Sequence, residues 1–182
     1  MRKAVESSIR SLINLGEKII PYLKNFLKTK PPMHVKISVA MVLAKLGEQE
    51  GIDTFKEALN HEFVWIKSNA IEGLGEIGDP SVVPELMDCL VDSGPIRNKA
   101  SVALAQIEIQ NPGSLDIEKI KKRFQSIVES SGKDKATKRD CTKNYLIITK
   151  ALGMSREKIE MPDLPKFKPP KTKSFRRRVA HA

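Results

Sequence analysis

Seven cations and two phenylalanines fall within thirteen residues near the C-terminus: Lys166, Phe167, Lys168, Lys171, Lys173, Phe175, Arg176, Arg177 and Arg178, with no acidic residue among them. Such cations release counterions from a phosphate backbone, and interleaved rings can stack on unpaired bases. The string therefore suits single-stranded or structured RNA better than specific DNA readout. It equally suits a nuclear-import signal, an anionic membrane surface or a solubilising tail. The other reactive side chains are scattered. His34, His61 and His181 make no metal constellation, and His61-Glu62 reads as a solvated turn with helix-start charge. Cys89 and Cys141 form no CxxC spacing, so a reduced intracellular chain is expected. Gly73-Leu74-Gly75 lies inside an amphipathic helical pattern rather than after a strand, so it is no phosphate cradle, and no GxSxG or P-loop occurs. No catalytic, cofactor or metal site is assigned, and a non-enzymatic role is expected.

The elements that carry these residues divide by charge. Of 182 residues with net charge +10, the first 120 hold 14 basic and 16 acidic side chains, and the remaining 62 hold 18 basic and 6 acidic. A near-neutral folded part joined to a basic arm is the physical reading. The longest apolar run, Val39 to Ala44, is far short of the roughly 18 to 20 residues that span a bilayer, so no membrane insertion is expected. The N-terminus lacks an apolar block of signal-peptide length. A cytoplasmic protein is expected, or a nuclear one in a eukaryotic cell.

Three segments align without gaps, Val35–Gly47, Ile66–Gly78 and Ile96–Glu108, spaced by 31 and 30 residues. A β-branched residue followed by a cation recurs at Val35-Lys36, Ile66-Lys67 and Ile96-Arg97, and leucine recurs at Leu43, Leu74 and Leu104. A more divergent first copy places Leu12, Leu15 and Gly16 in the same register. Each copy reads as a helical hairpin whose first helix closes on Gly16, Gly47 or Gly78; in the fourth, Glu108 replaces the glycine and Asn111-Pro112-Gly113 supplies the turn. The second helices are predicted at Ile19 to Lys28, Ile52 to Asn60, Val82 to Asp92 and about Asp116 to Val128, with Leu23, Phe55, Leu86 and Ile120 facing inward. Leu27, Leu59, Leu90 and Phe124 form the next inward column. Cys89 aligns with Phe26 and Ala58 and reads as a small hydrophobe. Small residues at Val42/Gly73/Ala103 and Ala44/Gly75/Ala105 point to close helix approach.

These columns, with Gly78-Asp79-Pro80 before a leucine-rich helix and the similar Gly16–Leu27 segment, make residues 4 to about 128 resemble HEAT repeats of the short type also seen in phycobilin lyase subunits. The resemblance implies an all-α solenoid of about four stacked hairpins whose second helices line a concave binding surface. It also implies an alternative, an enzyme or enzyme subunit of the lyase-like HEAT group, though no residue marks a pigment site. The HEAT-repeat enzyme deoxyhypusine hydroxylase holds two irons with His-Glu pairs early in its first helices. Here those places carry Ile37-Ser38, Ser68-Asn69 and Asn98-Lys99. HEAT-like alkylpurine DNA glycosylases use aromatic and acidic groups on a basic face; Trp65, aligned with His34 and Pro95, is expected instead to cover a hairpin junction.

The expected organisation is a repeat array over 1–129 (copies about 4–32, 33–63, 64–93 and 94–129), a linker and capping helix over 130–153, and a disordered proline-rich basic tail over 154–182. Ser130 to Asp140 reads as a loop. A helix over about Lys138 to Leu152 follows, with Cys141, Tyr145, Ile148 and Leu152 on one face; Thr149, where leucine would continue the repeat, favours a cap over a fifth copy. Outward positions on the second helices run basic, mixed, acidic, basic, and the acidic third copy (Glu72, Glu76, Asp79, Glu85, Asp88, Asp92) argues against a duplex along the whole array. A protein partner is expected on Lys24, Lys28, Lys56, Glu57, Asp88, Lys121 and Lys122, an anionic partner on the tail, and no cofactor.

Overall fold

The computed structural model describes residues 2–132 and 134–154. Every regular element among them is helical: α1 (Arg2–Asn14), α2 (Ile20–Lys28), α3 (Met33–Lys45), α4 (Gln49–Leu59), α5 (Val64–Ile77), α6 (Val83–Asp88), α7 (Gly94–Gln110), α8 (Ile117–Ser130) and α9 (Lys135–Ala151). Short 3-10 turns precede α2 (Gly16–Ile19) and flank α6 (Pro80–Val82 and Cys89–Val91). Successive odd-numbered helices rest on one another, from α1 on α3 through to α7 on α9, and each even-numbered helix lies against the odd-numbered helix that follows it. From Ser155 on, the predicted tail, including Lys166 to Arg178, lies outside the described residues.

Of the eight inward positions predicted from spacing, seven are buried in the core and Leu27 is half-buried against it. Phe55, Leu86, Leu90 and Phe124 are fully buried, with Ile120, Leu59 and Leu23 nearly so. One apolar cluster runs from Ile37 on α3 to Ile148 on α9, and a smaller one joins Leu23, Val39, Val42 and Leu43 to side chains of α1. No single amphipathic hairpin could remove this surface from water, so each helix pair depends on its neighbours. Cys141, Tyr145 and Ile148 dock α9 onto α7 and α8, and the Tyr145 ring meets Phe124 edge-on at 5.8 Å.

Gly47 and Gly78 end their helices with φ of +84° and +79°, the left-handed backbone that glycine adopts without a steric penalty. The fourth closure is different. α7 runs on to Gln110, and the buried Glu108 carboxylate accepts the Gly113 amide at 2.8 Å and the Leu115 amide at 3.0 Å. The side chain that displaced the repeat's glycine thereby organises the turn that replaces it.

Three helix boundaries differ from the sequence reading. α4 begins at Gln49 rather than Ile52. The helix expected over 82–92 is a six-residue α-helix between two 3-10 turns, with Pro80 and Pro84 each at the start of a helical segment. α9 begins at Lys135, three residues early, because Asp134 caps it by accepting the Ala136 and Thr137 amides. The small columns fall where helices come closest. A Cβ on Gly73 would sit 2.6 Å from the Phe55 ring, and one on Gly75 would sit 2.8 Å from Ala103 Cα. Gly51, which the repeat comparison passes over, makes the tightest backbone approach: its Cβ would lie 2.5 Å from Ala44 N and 2.6 Å from Ala40 O.

Candidate protein-binding surface

The repeated cation after each β-branched residue folds back onto the end of a neighbouring element. Lys36 pairs with Glu57 at 3.2 Å and Lys67 with Asp92 at 3.0 Å. Arg97, 6% exposed, is the most engaged of the three. Its Nε donates to the Leu90 carbonyl (2.7 Å), Nη2 to the Asp92 carbonyl (2.8 Å) and Nη1 to Asp140 on α9 (2.6 Å). This planar fork joins the last turn after α6, the start of α7 and α9 in one contact, a task suited to arginine rather than lysine.

Further ion pairs run between helices one repeat apart. Lys24 on α2 meets Glu48 at 2.5 Å and Glu50 at 2.8 Å at the start of α4; Lys56 on α4 meets Glu85 on α6 at 2.6 Å; Asp88 on α6 meets Arg123 on α8 at 2.5 Å. On the other layer Lys45 reaches Glu76 at 3.9 Å and Lys99 reaches Glu72 at 2.8 Å. The acids of the third repeat segment are thus largely matched by cations from both sides, with Asp79 holding the Ser81 amide. Of the residues expected to bind a partner, Lys24, Lys56, Glu57 and Asp88 are joined to the protein itself. Lys28 and Lys122 are exposed and Lys121 is half-buried, without ion pairs among the described residues.

Hydrogen bonds donated to Glu48 and then Glu50 hold the Lys24 ammonium protonated beyond its ordinary range. The same contact lowers Glu50. Burial opposes ionisation of Glu85 and Asp92. Lys56 with a backbone amide outweighs it at Glu85, and the Ser93 amide with Lys67 does so at Asp92, leaving both lowered. Asp116 is lowered chiefly by the Lys119 amide, and Asp134 by the Thr137 hydroxyl and the Ala136 and Thr137 amides. These five carboxylates are depressed below unfolded values of roughly 3.9 for Asp and 4.3 for Glu, so their stabilisation is present above that range and lost as pH falls through the folded values. The melting temperature is therefore expected to hold between neutral pH and about pH 5, then fall on further acidification. A flat profile down to about pH 3 in thermal melts followed by circular dichroism would remove these pairs from the stability account.

An open groove of about 620 Å³ lies between α6 and α8. Its apolar lining is Val83, Pro84, Met87, Leu115 and Ile120, and Lys119, Lys122 and Arg123 stand along the α8 side. Asp116 and Asp88 lie on it too, each paired with a cation of α8, at 3.6 Å for Asp116–Lys119. Two predicted residues, Asp88 and Lys122, therefore meet at one concavity, while Lys24, Lys28, Lys56 and Glu57 lie outside its lining. Spacing could place Met87, Asp88 and Lys122 on outward faces; the concavity arises where the short, proline-bounded α6 faces α8.

Trp65 is half exposed in the first turn of α5, beside His34 at 6.3 Å between ring centroids, and next to the half-exposed Phe63 and Val64. His61 Nδ1 accepts the Phe63 amide at 3.1 Å, which makes it a turn residue. Burial, then the charge of Asp92, pushes the Cys89 thiol up to about 11, and burial raises Cys141, so both are protonated at neutral pH. Among the described residues no three His, Cys, Asp or Glu side chains gather as a metal site, and no helix is long and apolar enough to cross a membrane.

A family model described as HEAT repeats matches residues 8–116. Comparison with curated proteins and with solved structures finds no match.

Proposed function

Because the chain belongs to the HEAT-repeat family, we propose that it is a non-enzymatic adaptor that holds a protein partner in the groove between α6 and α8. The family match supports a binding platform, and the groove is the observation that carries the reading. Its apolar floor of Val83, Met87 and Ile120 offers a seat for an apolar side chain. Lys122 presents unpaired charge beside it, so the partner segment is one apolar anchor flanked by carboxylates. The basic segment over 154–182 is the proposed second arm of the adaptor, for an anionic partner such as RNA.

Selection from a random peptide library against the full chain tests the groove. Recovered peptides are expected to carry an apolar residue between acidic ones. Met87→Glu should weaken their binding at least about tenfold, by placing a carboxylate where the anchor sits and adding repulsion to its flanking acids. Peptides that bind the Met87→Glu protein as tightly as the parent would refute this site.

A further inference from the structure

Cations on this protein are not distributed alike with respect to their partners. Between residues 31 and 115 every lysine and arginine makes an ion pair: Lys36, Lys45, Lys56, Lys67, Arg97 and Lys99. On α8 and α9 the pattern inverts. Lys119 and Arg123 are paired, whereas Lys121, Lys122, Lys135, Lys138, Arg139, Lys143 and Lys150 make no ion pair among the described residues. The acids nearest in sequence are committed elsewhere, Asp134 to the α9 N-terminus and Asp140 to Arg97. Of the acids on the adjoining α8, Glu118 bears on the buried Tyr145 and Glu129 is exposed.

Three of these cations form a line. Arg139, Lys143 and Lys150 are exposed, and at 3.6 residues per turn they fall within about 40° of one another, opposite the buried Cys141, Tyr145 and Ile148. The line extends about 16 Å along the helix axis. Like charges four residues apart on one helix repel and destabilise it, so α9 carries this stripe at a cost to its own stability. A linear row of uncompensated cations complements a linear polyanion better than a single carboxylate or phosphate. At about 3.4 Å of axis per phosphate on one duplex strand, the stripe spans about five of them. Tyr145, the only aromatic residue of α8 and α9 besides Phe124, is buried with it, so no ring is presented to stack on bases. Contact is with the backbone, independent of sequence.

We infer that the outward face of α9, through Arg139, Lys143 and Lys150, is a nucleic-acid backbone-binding surface. It goes beyond the adaptor reading of the groove and does not rest on it, and it assigns to the folded part a contact distinct from the basic tail that follows.

Fluorescence anisotropy with a labelled oligouridylate and a DNA duplex, each of about 30 residues per strand, tests it on the full chain at roughly 50 and 200 mM salt. The triple variant Arg139→Glu, Lys143→Glu, Lys150→Glu should bind the oligouridylate at least about tenfold more weakly, and the slope of log affinity against log salt should flatten by about 2, from roughly 0.7 per lost contact. If charge reversal disturbs the helix content, the Gln triple variant gives the same reading with a smaller loss. A second full-length variant, Arg176→Glu, Arg177→Glu, Arg178→Glu, separates the tail. Loss of binding there with α9 variants that bind as the parent does would overturn the inference and leave the tail reading standing. So would failure of the parent to bind either probe at the lower salt, or sedimentation with phosphatidylserine vesicles without nucleic-acid binding.

Discussion

Replacing Arg97 by methionine is expected to destabilise the fold by about 3 kcal/mol, because a buried, hydrogen-bonded cation is removed and its acceptors stay behind. The stranded groups are the Leu90 and Asp92 carbonyls and the Asp140 carboxylate. Methionine fills much of the volume, so the loss is electrostatic and not a cavity. Asp140 keeps 29% of its side-chain surface in water, which places the effect at the lower end of the range for broken buried pairs. At about 2–4 °C per kcal/mol for a chain of this size, the melting temperature should drop by roughly 6–12 °C. Lysine should rescue little, since one ammonium cannot span three acceptors on two separate segments. A double-mutant cycle with Asp140→Asn isolates the α7–α9 share of the effect. A melt within about 2 °C of the parent would mean that the repeat's cation column contributes no stability where it is most buried.

Gly51→Ala is expected to destabilise by about 1–3 kcal/mol, the range for overpacking a filled core, although alanine is the better helix former by about 1 kcal/mol. The obstacle is backbone: the new methyl would meet Ala44 N at 2.5 Å and Ala40 O at 2.6 Å. No rotamer change relieves that clash; α4 has to move off α3. Gly73→Ala meets the outer atoms of the buried Phe55 ring at 2.6 Å instead, a side chain that can turn where backbone cannot, so its cost should be smaller. Urea midpoints of the two variants compare them directly, and a stabilised Gly51→Ala protein would sink the close-approach account.

The repeat columns were readable because each is a local consequence of helix geometry: an inward leucine recurs wherever a helix faces the same core. Phe55, Leu86, Ile120 and their neighbours are buried for that reason. Gly51 was invisible to the same comparison because its equivalents, Ile19, Val82 and Asp116, are not small; it answers to one helix crossing and not to the repeat. The early start of α9 was written in the chain, since Asp134 is an ordinary capping residue, but the surrounding charge made the segment read as a loop. The candidate surface was half legible. Spacing placed Lys24, Lys56 and Asp88 outward, yet whether an outward charge awaits a partner depends on what stands 24 to 35 residues away, and helix periodicity carries no such information.

The ion pairs between neighbouring segments also fix their order. The segment carrying α5 and α6 presents carboxylates to both sides, Glu76 and Glu85 toward α3 and α4, Glu72 and Asp88 toward α7 and α8. Set beside a duplicate of itself, it would lose these partners: Met87, Asn69 and Cys89 stand where Lys56, Lys99 and Arg123 do, and Glu76 would meet a second Glu76. Tandem duplication, the usual way such arrays lengthen, is therefore penalised at this position. The same mismatch works against off-register pairing during folding and against exchange of segments between two chains, hazards that near-identical repeats otherwise invite.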